Sequence, residues 1–114
     1  MTNPFQGGVS FEFEGEKYTL VFDFNAMAEY EGETGENALE VVAAYERGAV
    51  SAKQVRALFW AMLLENHPDM DIRQAGRMIV SASEKMKEAL ERAAVEAEPN
   101  SGNAKRRTKP PARR

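Results

Sequence analysis

The sequence predicts an α+β protein in which an N-terminal two-stranded antiparallel β-hairpin packs on a bundle of four to five short α-helices. Two segments near the start alternate apolar and polar residues, which is the strand period, and the segments that follow carry apolar residues at helical spacing. Every Leu, Ile, Val and Phe lies at or before Val95. We therefore predict one globular domain over residues 1–98 and a disordered basic C-terminal tail over residues 99–114.

The predicted hairpin joins residues 9–14 to residues 17–24 through a two-residue loop, Gly15-Glu16. This loop sets residues whose numbers sum to 31 opposite each other, so that Phe13 faces Tyr18. In that register one face is aromatic and aliphatic, and the other is polar with one opposite-charge pair. Because two strands alone are marginally stable in water, the apolar face should pack on helices.

Start and stop signals divide the rest of the chain into helices. Asn25 is expected to cap a short helix that ends between Gly32 and Gly35. A second helix is expected to open at Glu36 or Asn37 and to stop at Gly48. Ser51 is expected to cap a third helix at about 52–66, and Asp71 a fourth. A Ser81–Glu84 capping box should open a fifth helix, which Pro99 should end.

The third helix carries an apolar stripe that is too wide for one buried face. Trp60 and Leu64 extend the stripe over more than half of the circumference. This helix is therefore either the central helix of the domain or one with a partner on its second face, and Trp60 fits the core or a partner groove. The stripe itself consists of Val55, Leu58, Phe59, Met62 and Leu63.

Charge is distributed unevenly along the chain. Residues 1–46 carry a net charge of −9, residues 47–98 are neutral, and residues 99–114 carry +6. The basic tail lacks aromatic residues for base stacking and the periodicity of a groove-binding helix, so we interpret it as a solvated extension or a weak electrostatic tether. Its basic residues are Lys105, Arg106, Arg107, Lys109, Arg113 and Arg114.

The residue types that catalysis and metal binding need are scarce. The chain has no Cys and a single His, and no glycine-rich phosphate loop or Gly-x-Ser-x-Gly motif is present. The sequence also shows no apolar run long enough to span a membrane and no pattern of a secretory signal. We therefore predict no enzyme, no catalytic residue, no cofactor, no metal site and no membrane association, in a soluble intracellular protein.

One tripeptide, His67-Pro68-Asp69, has two interpretations. It lies between two predicted helices, as the same tripeptide does in J-domain co-chaperones. In a J-domain the preceding helix is strongly basic and no hairpin comes first, whereas here that helix has only Lys53 and Arg56. We favour a plain turn, because Pro68 bars helix continuation and Asp69 or Asp71 can cap the next helix.

An ordered set of motifs resembles the gene transfer agent family of small proteins encoded among phage tail genes. The resemblance covers about residues 3–96. The motifs are Gly15-x-Lys17-Tyr18-Thr19-Leu20-x-Phe22-x-x-Asn25-Ala26, Arg56-Ala57-Leu58-Phe59-Trp60-Ala61, His67-Pro68-Asp69 and Ala75-Gly76.

The resemblance implies a tail assembly chaperone that binds the tape measure protein, in the bacterial host cytoplasm, and keeps it soluble until the tail tube polymerises. Alternatives are a structural component associated with the tail tube, which could polymerise through an open hairpin edge, and a module tethered to nucleic acid by the basic tail. For the chaperone we predict a partner groove on the third helix. Its residues are Phe59, Trp60, Leu63 and Leu64, with Tyr45 at the margin.

Overall fold

A computed structural model describes the backbone of residues 8–104 and the side chains of residues 8–93. A two-stranded antiparallel sheet precedes five helices, which confirms the predicted fold class. The basic tail was predicted over residues 99–114; residues 99–104 belong to the last helix, and residues 105–114 lie outside the described residues. The elements are β1 (Val9–Phe13), β2 (Glu16–Leu20), α1 (Phe24–Thr34), α2 (Ala38–Glu46), α3 (Ala52–Leu63), α4 (Ile72–Met78) and α5 (Ser83–Ala104).

The hairpin forms, but the predicted register is wrong by two residues. Phe11 lies opposite Tyr18, and Phe13 lies opposite Glu16. The loop is Glu14-Gly15, with φ angles of 53° and 83°, and a two-residue loop with positive φ at both positions favours glycine at the second. A shift of two residues leaves every side chain on the same face, so the alternating pattern alone could not separate the two registers.

Local caps set most helix boundaries. Asp23, rather than the predicted Asn25, caps α1: its carboxylate accepts the N–H of Ala26 at 2.9 Å. The helix therefore starts at Phe24, and β2 ends four residues earlier than predicted. The predicted caps of the next three helices are confirmed, namely Asn37, Ser51 and Asp71.

The start and end of α5 both differ from the prediction. A hydrogen-bonded turn joins α4 to α5, in which the N–H of Ala82 donates to the carbonyl oxygens of Met78 and Ile79. The helix then begins at Ser83, so a capping box starting at Ser81 does not open it. At the other end α5 passes through Pro99 to Ala104, since a proline removes one helical hydrogen bond and weakens a helix without always ending it.

The core is built around α3. Leu58, Phe59, Met62 and Leu63 are completely buried, and the helix contacts α1, α2, α4 and β2. The apolar face of the hairpin covers it, with the rings of Phe11 and Phe59 5.9 Å apart. Burial of each of these side chains stabilises the folded state by about 1.5–3 kcal/mol. With its contacts to four other elements, α3 is the central helix that the wide stripe suggested.

The two outer edges of the hairpin differ. Along β2 and just beyond it, the N–H of Thr19 donates to Nε2 of His67 at 3.1 Å and the N–H of Val21 donates to the carbonyl of Met62 at 2.9 Å. Within residues 8–104 no third strand pairs with β1. The edge of β2 is thus covered by α3 and the loop after it.

Candidate functional site

The structure separates the residues of the predicted partner groove. Phe59 and Leu63 have no exposed surface, so they belong to the core and do not face solvent. Trp60 and Leu64 are half-buried, one turn apart on the outer side of α3. These two are the members of the set that a partner could touch.

Trp60 is held in place at the junction of α3 with the following loop. Its indole Nε1 donates a hydrogen bond of 3.0 Å to the carbonyl oxygen of Met70. A half-buried Trp with a satisfied N–H presents a rigid apolar surface at low entropic cost. One part of the Trp60 side chain is therefore packed against the core, and the other part forms surface that a partner can contact.

Two depressions lie between α1 and α3. One has a volume of about 160 Å³ and the other of about 440 Å³. Glu29 of α1 and Ala61 of α3 line the first depression, and Glu33 of α1 and Ala57 of α3 line the second. Since both pairs are one helical turn apart, the depressions follow each other along the α1–α3 contact. We call this surface the α1–α3 groove, lined by Asn25, Ala26, Glu29, Glu33, Thr34, Glu36, Ser51, Lys53, Gln54, Arg56, Ala57, Ala61, Leu64, Glu65 and Ile72.

The α1–α3 groove is net acidic, because four carboxylates line it against two bases. Glu29 and Glu33 are exposed, and within residues 8–93 neither forms a salt bridge. On the opposite wall, Nε of Arg56 is buried without a hydrogen-bond partner among the described residues. Within the described part of the chain, the α1 wall therefore carries two carboxylates that form no salt bridge.

One carboxylate of the groove has a structural role. Glu36 accepts hydrogen bonds from Gln54 Nε2 and from the hydroxyl of Tyr30, both at 3.0 Å. The bonds from Gln54 and Tyr30, in that order, lower the pKa of the Glu36 carboxyl. Burial, followed by the bond to Glu36, raises the pKa of Tyr30 to about 12. This link between α1 and α3 was missed by sequence analysis, since no spacing rule connects positions so far apart.

Tyr45 does not lie at the margin of the α1–α3 groove. It lines a separate depression of about 430 Å³ between α2 and α5, beside Lys87 and Leu90. Burial and the neighbouring carboxylates Glu84 and Glu91 raise the pKa of its phenol. The structure thus brings Tyr45 to α5 and not to Trp60 and Leu64.

His67 has a structural environment, which agrees with the turn interpretation. Its Nε2 accepts the N–H of Thr19, and its ring lies 5.1 Å from that of Tyr18. Burial lowers the pKa of the imidazole. Asp71 caps α4 through its side chain, as predicted. The tripeptide therefore turns the chain and fixes the hairpin to it.

The described residues show neither a metal-binding cluster nor a membrane-spanning helix. In residues 8–93, no group of three His, Asp or Glu side chains is placed to hold a metal ion. No helix of the described region combines the length and apolar character needed to cross a bilayer. The six basic residues predicted as a tether lie beyond the described side chains.

One protein family has a model that matches most of the chain. Residues 6–97 match the family described as phage tail tube protein, GTA-gp10. Comparisons with the curated proteins and with the solved structures gave no significant match. The family match includes β1 to α4, most of α5 and the whole α1–α3 groove. The chain therefore belongs to the phage tail tube protein GTA-gp10 family.

Proposed function

We propose that this protein is a tail assembly chaperone of a phage or gene transfer agent. In this proposal it binds the tape measure protein in the host cytoplasm and keeps it soluble until the tail tube polymerises around it. Other tail proteins are further partners, and no enzymatic activity is involved. The observation that carries the proposal is that Trp60 and Leu64, one helical turn apart, are half-buried while the α3 residues between and beside them are buried.

The α1–α3 groove suits one side of a long helix. Leu64 and Ala61 give it an apolar floor, and Trp60 lies one turn from Leu64. An amphipathic helix can lay its apolar residues along such a floor. A tape measure chain offers many similar segments, so several copies of a weak binder could cover it and gain from multivalency.

The test is co-expression of the tape measure protein with a Leu64→Glu variant. A carboxylate on the apolar floor should release the tape measure protein into the insoluble fraction, because burying an unpaired charge is costly. Val80→Glu is the matched control: Val80 is 83% exposed, lies in the turn between α4 and α5 and is not among the residues that line the groove. Both variants are first checked for the wild-type circular dichroism spectrum and melting temperature.

Two outcomes decide the matter. If folded Leu64→Glu protein keeps the tape measure protein as soluble as the wild type does, the groove is not the binding surface. If the wild type itself gives no protection, the chaperone proposal fails.

A structural role in the tail tube is the second candidate, favoured by the open edge of β1. Edge strands with free backbone groups pair readily with other chains. In this case purified mature tails should contain the protein at a stoichiometry comparable to that of the tube. A chaperone would instead be absent from mature tails and present with the tape measure protein in assembly intermediates. Mass spectrometry of both fractions separates the two roles.

A further inference from the structure

Two of the sequence motifs, Arg56–Ala61 and Ala75-Gly76, meet between α3 and α4. A Cβ atom at Gly76 would lie 2.9 Å from Cδ and 3.4 Å from Cγ of Arg56. The aliphatic part of Arg56 therefore lies directly against the backbone of α4. Glycine weakens a helix relative to alanine, but at this position it leaves room for the side chain of Arg56.

The guanidinium of Arg56 has no counterion in the described part of the chain. Its Nε is buried without a hydrogen-bond partner, and no salt bridge within residues 8–93 involves it. Arg56 as a whole is half-buried and lines the larger depression of the α1–α3 groove, with a volume of about 440 Å³. Burying part of a charged group without a partner is unfavourable, so an acceptor that reaches this guanidinium would be stabilising.

The surroundings of Arg56 on α3 are also positive. Lys53 lines the same depression, one turn before Arg56, and forms no salt bridge within residues 8–93. Both residues lie near the start of α3, which has no acidic residue in its first turn, and the N-terminal end of a helix carries a partial positive charge. Of the two carboxylates in this depression, Glu36 is hydrogen-bonded to other groups and Glu33 forms no salt bridge with either base.

We propose that Arg56 binds a carboxylate of the partner helix in the α1–α3 groove. The partner segment then carries an Asp or Glu side chain beside its apolar residues. This inference rests on the proposed function and adds a charge requirement to a groove with an apolar floor. A planar guanidinium can hold a carboxylate through two parallel N–H···O bonds. Ala57 and Ile72 line the same depression, and such an ion pair is stronger among apolar groups than in water.

Binding of the full chain to immobilised tape measure protein tests this contact. The tape measure protein is attached to a resin in denaturant and returned to buffer, where attachment prevents aggregation. The half-saturating concentration is then measured for each variant. Arg56→Met keeps an unbranched side chain against Gly76 but removes the charge. It should raise the half-saturating concentration by roughly 5- to 50-fold, between the effects of an exposed ion pair and of a buried charged hydrogen bond.

Two other variants separate position from net charge. Arg77→Met is the matched control, because Arg77 is exposed on α4 and is not among the residues that line the groove. It should bind as the wild type does. Gly76→Ala keeps the charge of Arg56 but displaces its side chain, because the new Cβ would lie too close to Cδ. It should weaken binding in the same direction as Arg56→Met. All variants are first checked for the wild-type circular dichroism spectrum.

Amidation of the immobilised tape measure protein identifies the group that Arg56 binds. Carbodiimide and ethanolamine convert its carboxylates to neutral amides. The wild type should then bind more weakly, whereas Arg56→Met and Gly76→Ala should bind as the wild type does, because the contact that they remove no longer exists. This loss of the difference is the signature of two groups that interact directly.

Three results would overturn the proposal. The first is a folded Arg56→Met protein that binds like the wild type while Leu64→Glu does not bind, which would leave the groove in place without this contact. The second is an equal effect of Arg56→Met on the untreated and the amidated partner, which would give Arg56 a purely structural role. The third is a wild type that does not bind, in which case the proposed function fails as well. If Arg56→Met does not fold, Gly76→Ala decides by the same comparison.

Discussion

Replacing His67 with alanine removes the hydrogen bond that fixes β2 to the loop after α3. The N–H of Thr19, which donates to Nε2 at 3.1 Å and is partly buried, would be left without its acceptor. An unsatisfied buried donor costs about 1–3 kcal/mol. For a domain of this size the melting temperature should fall by roughly 4 to 20 °C. Asn66→Ala is the matched control, because the neighbouring side chain is exposed and should change stability by no more than about 0.5 kcal/mol.

The same residue should give folding a distinctive pH dependence. Burial lowers the pKa of His67 below its ordinary 6.5 in the folded protein, so the unfolded chain takes up a proton at higher pH than the folded one. The stabilisation is therefore fully present above pH 6.5 and is lost as the pH falls from there through the folded pKa. A protonated imidazole also cannot accept the N–H of Thr19 through Nε2.

Urea denaturation at a series of pH values measures this effect. In a His67→Gln variant, whose side chain keeps an acceptor but does not titrate, this component of the acid destabilisation should be absent. The two proteins differ only at residue 67, so the difference between the two stability profiles isolates the histidine. Parallel profiles for wild type and His67→Gln would refute the assigned role.

Three further predictions concern two glycine positions and the buried phenol of Tyr30. Gly8→Ala should destabilise the fold by at least about 1–2 kcal/mol in denaturant unfolding, because Gly8 has a φ of 72° and an added Cβ would lie 2.4 Å from the carbonyl oxygen of Leu20. Gly32→Ala should instead stabilise by about 0.5–1 kcal/mol, since nothing lies within 4 Å of its Cβ position in α1. Tyr30 should ionise near pH 12 in an ultraviolet absorbance titration, and Glu36→Gln should bring its pKa closer to 10, because the carboxylate is then gone. An unchanged titration curve in Glu36→Gln would contradict the proposed link.

Features that depend on neighbouring residues in the chain were predictable. Asn37, Ser51 and Asp71 cap helices where the sequence indicated them, because each satisfies free N–H groups within three residues. The hairpin register was not predictable, because two registers that differ by two residues place the same side chains on each face of the hairpin. The start of α1 was also misplaced, because Asp23 and Asn25 are both good caps and the choice depends on how β2 packs on α3.

Features that depend on tertiary contacts were harder to predict. The width of the stripe on α3 correctly indicated a central helix, yet it could not show that Phe59 and Leu63 are completely buried while Leu64 lies beside α1. Tyr45 was assigned to the wrong neighbourhood, since only the three-dimensional path of α5 brings it near Leu90. Helical periodicity gives the face on which a residue lies, but the neighbour on that face is a property of the whole fold.

The unequal edges of the hairpin limit how copies of this protein can join through it. The edge of β2 is covered by hydrogen bonds to His67 and Met62, so only β1 can accept another strand. If β1 of one copy pairs with β1 of another, both edges are used, and the sheet ends at four strands. Such pairing gives closed dimers and protects the protein against stacking into endless fibrils. A tube built from this protein would therefore need a second, chemically different contact between its subunits.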